Sequence, residues 1–368
     1  MKVYRSIYTS LLTALLIGWG CVLTGCTDHP EIEQSYTDES VGEPLRVVGM
    51  TRSGDETDVP DPMKGQSVQL FLDDGKSNPI PSDAVTYNGK TANSDDLFGN
   101  TTTLKVKPGE DYHVFGFLPS NANALTEETN GNSSVTVNSE TQTATMTIEN
   151  LASLSTKDVC VVIGVKGKLK EEDEKVVAGS FKYHAPEDTE EGFGVSLLVD
   201  HLFAAIEFNM CVGATYNAIR TIKLKKVVMR STNAKKVTAV ITLTMNDEGT
   251  NLMNVDFTPT ETAQEETTLY ESEDENGTAL DVNTPIEFRG FYSASLGSTL
   301  SIESTYDICD KDGNKIDENR KSVNNLSKVL SNIARGKKVQ LNLTVIPTYL
   351  YILSDNDPNN PTIVVGGN

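Results

Sequence analysis

Gly336-Lys337-Lys338-Val339-Gln340-Leu341-Asn342-Leu343-Thr344-Val345 alternates polar and apolar residues without a break from Lys338 onward. A period of two puts Val339, Leu341, Leu343 and Val345 on one face of a strand and turns the residues between them to the other. Gly336 supplies the turn that feeds the strand, and Pro347, with no N–H to give a ladder, stops it. The same device occurs upstream, where Gly109 is followed at the same offsets by Tyr112 and Val114 and the run ends at Pro119. Two domains of one architecture, each with such a hairpin, account for this faint repeat.

Working outward, short runs rich in β-branched and aromatic residues predict strands at 45–50, 68–72, 103–106, 112–118, 143–148, 159–165 and 175–183. The second half adds 204–211, 221–229, 237–245, 286–292, 299–308 and 338–346. Asp158-Val159-Cys160-Val161-Val162-Ile163 reads as a buried strand. Turn chemistry lies between the runs, in Asp73-Asp74-Gly75, Asn88-Gly89, Pro108-Gly109, Asn130-Gly131, Asp247-Glu248-Gly249 and Asp312-Gly313-Asn314. Helix is expected only at 200–208 and, as a short piece before the last strand, at 322–333. Many short strands between turns predict an all-β chain of β-sandwiches.

With 368 residues, the chain has room for two domains of about 150 residues each. The acidic stretch 186–194 is the expected boundary, between an N-terminal sandwich at 45–194 and a C-terminal one at 195–346. A net charge of −21 excludes binding to nucleic acid or anionic lipid by general electrostatics. Acidic residues concentrate at 171–174, 187–191 and 261–275, which read as solvated loops.

The first residues carry Lys2 and Arg5, then an apolar stretch from 11 to 23 that is too short for an ordinary membrane span. This is the pattern of a secretory signal peptide over 1–25. Leu23-Thr24-Gly25-Cys26 resembles the bacterial lipobox, which implies cleavage between Gly25 and Cys26 and acylation of Cys26 by palmitate-type chains. Each buried acyl CH₂ adds about 0.8 kcal/mol, so two or three chains hold a protein on a membrane. Cys21 fits the pattern less well. Residues 26–44 are polar and acidic and read as a tether or propeptide. Residues 347–368 form an extension beyond the last domain strand.

Cys160, Cys211 and Cys309 remain, an odd number with no close spacing; they read as buried thiols, with one pairing left open. The only tryptophan, Trp19, lies in the signal, which counts against sugar stacking. No nucleophile elbow, phosphate loop, dinucleotide fingerprint or zinc-protease motif is present. His29, His113, His184 and His201 are scattered, without a Cys or His at metal-ligand spacing in sequence. The segment 310–317 departs from a calcium loop in its glycine position and closing residue, and a hairpin turn explains it better. Neither catalytic residues, nor a metal, nor a cofactor is expected, and the chain is not read as an enzyme.

A lipobox, an acidic tether, a first strand with arginines, two β-rich parts and a C-terminal extension together resemble the Bacteroidales-type (type V) fimbrillins and fimbrillin-like lipoproteins. His201-Leu202-Phe203-Ala204-Ala205-Ile206-Glu207-Phe208, Ile222-Lys223-Leu224 and the Gly336 run agree with that family. The resemblance implies two transthyretin-like, Greek-key sandwiches in tandem and a lipid-anchored precursor at the outer membrane. It implies other fimbrillin subunits as partners. It also implies removal of the first strand by an arginine-directed protease, with the vacated edge filled by a neighbour's extension through strand addition. Arg46 and Arg52 are the candidate processing sites; Arg46 better matches where processing falls in the family, while Arg52 would release the whole strand. Tyr349, Tyr351, Leu353, Ile363 and Val365 are the candidate donor residues. Stalk and tip roles stay open, and the extension argues against a purely basal anchor. A surface glycan-binding lipoprotein and a secreted hydrolase are the competing readings.

Overall fold

A computed structural model describes residues 42–52, 65–88, 100–120, 133–168, 176–188, 192–245, 253–294, 298–328 and 333–347. The strands of the first half are β1 (Glu43–Arg52), β2 (Ser67–Asp73), β3 (Ile80–Pro81), β4 (Val85–Thr86), β5 (Asn100–Val106), β6 (Asp111–Leu118), β7 (Ser133–Asn138), β8 (Thr143–Ala152), β9 (Leu154–Ser155), β10 (Cys160–Gly167), β11 (Lys182–His184) and β12 (Gly194–His201). The second half holds β13 (Ala204–Val212), the one-turn helix α1 (Ala214–Asn217), β14 (Thr221–Thr232), β15 (Lys236–Thr244), β16 (Met253–Glu261), β17 (Glu265–Glu271), β18 (Thr278–Ala279), β19 (Ile286–Tyr292), β20 (Thr299–Cys309), β21 (Lys315–Asn325) and β22 (Lys338–Val345). The all-β expectation holds.

The largest sheet runs β3-β2-β6-β10-β12-β1-β5, with β11 beside β6 and β4 beside β2. Its central strands are covered on both faces, which is why β10 reads as an unbroken apolar run rather than an alternating one. Cys160, Val162 and Val165 face one core together with Leu45, Val47, Leu70, Val114 and Leu197. Val161 and Ile163 face a second core, against Met146, Ile148, Val237, Ala239 and Ile241. That second core is closed by the sheet β16-β15-β8-β7. Its pairing of β8 with β15, from Lys236↔Ala152 to Thr244↔Thr143, joins strands from both halves of the chain.

The remaining two sheets are β22-β13-β19-β9 and β17-β14-β20-β21, with β18 beside β14. They sandwich a third core in which Ile206, Phe208 and Met210 of β13 meet Ile222, Leu224, Val227 and Met229 of β14. Phe208 and Phe288 stack with ring centroids 5.2 Å apart, a contact beyond simple area burial.

Two helix expectations fail. Residues 200–208 complete β12, bend at Leu202 and Phe203, and start β13. Leu202 and Phe203 enter the second core while Ile206 and Phe208 enter the third, so burial in two directions decides against one helical stripe. Ser322 to Asn325 belong to β21, paired with β20; residues 329–332 lie outside the described residues. The acidic stretch at 261–275 contains β17 instead of a loop throughout. Its glutamates face cations on β14, with Arg230 Nε 2.7 Å from Glu266 and Lys226 Nζ 3.6 Å from Glu271, while Leu269 packs on the third core. A charged edge strand of this kind also resists unwanted pairing. The strand expected at 175–183 contracts to β11. Gly179, at φ +84°, turns the segment before it so that the Val177 carbonyl lies against Gly164; a Cβ there would sit 2.2 Å from that oxygen.

The two glycine-fed runs have matching turns, at φ +73° for Gly109 and +67° for Gly336, but different positions. β6 is interior, whereas β22 is an edge strand of its sheet. In segment 310–317, residues 310–314 form the β20–β21 hairpin turn and the rest opens β21, with the N–H groups of Asp312 and Asn314 donating to Asp310 Oδ1 at 2.9 and 2.8 Å.

Candidate functional site

β1 holds both candidate processing arginines. It lies between two strands distant in sequence, parallel to β12 and antiparallel to β5. A strand in that position has no local reason to be there. Its place depends on what it buries. Leu45 and Val47 are at most 1% exposed and Met50 is 8% exposed, and all three fill the first core beside Leu104, Val106, Val195 and Leu197. A register shift between Val47 and Gly49 is what brings Met50 to the same face as Leu45 and Val47. Gly49 sits close to β12 at that shift: a Cβ would meet Ser196 Oγ at 2.9 Å, so the serine side chain would have to turn.

Backbone and side-chain bonds lock the N-terminal part of the strand. Arg46 N–H donates to Phe193 O at 2.8 Å, and Thr102 Oγ1 donates to Leu45 O at 2.8 Å. Arg46 pairs with Gly194 on one side and Thr101 on the other. Its peptide bond is therefore inside a ladder on both edges. Arg52, paired with Val199, is the last residue of β1. A cut after Arg46 would leave Val47 and Met50 joined to the body, whereas a cut after Arg52 would separate all three core side chains from it.

β22 mirrors β1. It runs parallel to β13, from Ala205↔Lys338 to Val212↔Val345, as β1 runs parallel to β12. Val339, Leu341, Leu343 and Val345 pack against the third core but stay partly exposed. A polar network ties its outer face to the sheet. Lys338 Nζ lies 2.8 Å from Glu207 Oε2, which also pairs with Arg289; Lys338 first, then Arg289, hold the Glu207 carboxyl below the usual carboxylate range. Asn209 Nδ2 donates to Asn342 Oδ1 at 3.0 Å.

Gly25, Cys26, Tyr349, Tyr351, Leu353, Ile363 and Val365 lie outside the described residues. Cys160, Cys211 and Cys309 are free thiols, so no disulfide joins them. One cluster escaped the sequence reading: Asp158, Cys160 and His201 bring three possible metal ligand atoms within 4.8 Å of one another. Cys160 and His201 are opposite each other in the β10–β12 pairing. Nothing in a 41-residue separation announces that. No helix among the described residues is long and apolar enough to cross a membrane.

No family model matches this chain, and no curated protein matches it in sequence. Solved structures do align with much of it. A fimbrial protein from Bacteroides vulgatus is 12% identical, with 82% of this chain and 95% of that one covered at a TM-score of 0.38. A candidate cell adhesion protein from Bacteroides uniformis is 11% identical over 84% and 93% of the two chains, also at 0.38. The fimbrial anchor protein Mfa2 from Porphyromonas gingivalis is 11% identical over 86% and 93%, at 0.28. The structures to which this chain is similar are thus fimbrial proteins and adhesins.

Proposed function

We propose that the protein is a structural or tip subunit of surface fimbriae with a role in adhesion. It would be exported as a lipoprotein through Cys26, held at the outer membrane, and assembled when a protease removes β1. The observation that carries this reading is the position of β1: an interior strand, contributed from far away in sequence, with an arginine at its end. Its departure would open an edge of β12 lined by unpaired N–H and C=O groups and uncover the sites of Leu45, Val47 and Met50. Such an edge is a template for another strand.

The donor would come from residues 347–368 of a neighbouring subunit. Tyr349, Tyr351 and Leu353 recur at a spacing of two, so a regular strand presents all three on one face, as the shifted β1 does with its three. Head-to-tail addition of this kind does not close on itself and so makes a filament. Two transthyretin-like sandwiches, at 45–194 and 195–346, are the domain division that belongs with this reading, with β8 and β9 of the first pairing across that boundary on β15 and β19 of the second.

The test is a limited digest with an arginine-specific protease, followed by intact mass and gel filtration. The expected result is one cut, after Arg52 or Arg46, with SDS-resistant ladders growing over time. A chain that stays uncut near both arginines and monomeric overturns the proposal and favours a glycan-binding surface lipoprotein.

A further inference from the structure

Asp158 precedes β10, Cys160 opens it, and His201 closes β12. The antiparallel register sets Cys160 opposite His201 and carries Asp158 alongside. His201 Nδ1 lies 2.8 Å from Asp158 Oδ2 and 3.7 Å from Cys160 Sγ. Asp158 is 6% exposed, Cys160 is fully buried, and the His201 side chain is 25% exposed.

We propose that these three side chains form a binding site for a divalent cation of the zinc class. Donor chemistry is the first reason. Thiolate, imidazole and carboxylate together suit Zn²⁺ and its analogue Co²⁺, and exclude Ca²⁺ and Mg²⁺, which take oxygen ligands. Geometry is the second. With Zn–S of about 2.3 Å and Zn–N and Zn–O of about 2.0 Å, tetrahedral donors stand roughly 3.3–3.6 Å apart. The Cys160–His201 separation already fits. The His201–Asp158 pair, now at hydrogen-bond distance, has to open by about half an ångström, within reach of one carboxylate torsion.

Charge is the third reason. One thiolate and one carboxylate neutralise a divalent cation, so the loaded site carries no net charge into the sheet. Binding displaces the Cys160 thiol proton to solvent and takes the proton off His201 Nδ1, which moves to Nε2 by tautomer exchange or to solvent. Three protein donors leave a fourth tetrahedral position for water. The His201 backbone is itself held, because Arg335 Nη1 donates to His201 O at 3.1 Å and pairs with Asp200 at 2.9 Å, and Asp200 Oδ1 accepts the His201 N–H at 2.9 Å. A cation there would clamp the corner at which β12 turns into β13.

The test is titration of the purified, reduced protein with Co²⁺. One equivalent is expected to give a thiolate-to-cobalt charge-transfer band that Zn²⁺ abolishes. Cys160→Ser should remove the band, and His201→Gln and Asp158→Asn should each weaken binding about a hundredfold. Cys211→Ser and Cys309→Ser should leave it unchanged. Zn²⁺ should also raise the melting temperature of the unaltered protein, a readout independent of whether any variant folds. Absence of the band and of a melting shift overturns the proposal, as does a band that survives in Cys160→Ser.

Discussion

Leu45→Ala tests whether β1 is held in place by its core side chains. Leu45 is fully buried, belongs to the first core together with residues of β5 and β12, and has its carbonyl held by the Thr102 hydroxyl. Truncation of such a leucine costs about 2–5 kcal/mol, from lost transfer energy plus the cavity left behind. Thr51→Ala, on the exposed side of the same strand, should stay within about 0.5 kcal/mol. Urea unfolding followed by circular dichroism reads both, with the midpoint moving and the slope unchanged. The same energy has a second readout. Once the chain is cut after Arg52, β1 is held only by non-covalent contacts, so Leu45→Ala should weaken its retention about thirtyfold to a few thousandfold, seen as release of the strand peptide on gel filtration. If Leu45→Ala costs no more than Thr51→Ala, β1 is not an interior strand and the groove behind it does not exist.

Gly164→Ala forces a Cβ to within 2.2 Å of the Val177 carbonyl, a backbone atom that cannot rotate away; a loss of about 3 kcal/mol is expected. Gly167→Ala in the same strand meets only a Tyr183 ring atom at 3.9 Å, so it should be near neutral in the same urea assay. Asp307 provides the pH test. Burial pushes its carboxyl up, but the Asn319 N–H, Lys225 and Lys315 outweigh that and hold it below the ordinary value. A lowered folded-state pKa means stability that is complete above about pH 4 and lost as the pH falls through the folded value. Asp307→Asn should therefore lower the melting temperature much more at about pH 7 than at about pH 3, and equal losses at both would refute the assignment.

What could be read locally was largely right. β22 follows its alternating pattern residue by residue, Gly109 and Gly336 take the positive φ their turns require, and the 310–317 segment is a hairpin. Misreadings came where local preference competed with pairing. Residues 200–208 carry enough apolar density for a helix, yet they turn a corner between two cores. The glutamates of 265–271 look like a solvated loop until Lys226 and Arg230 are placed opposite them. β1 was legible as a strand with arginines, but its two neighbours were not.

By itself, the sequence determined strand character, the glycine turns at 109 and 336, a net acidic charge, and the set of residues that could be buried. Those are properties of the chain within a few residues: side-chain period, glycine and proline sterics, and charge. Only the tertiary structure decided that β1 fits between β12 and β5, that β8 pairs with β15, and that Cys160 meets His201. Each of those contacts closes a long loop whose entropy must be repaid by burial elsewhere. The choice of partner therefore rests on all three cores at once and is written in no single segment.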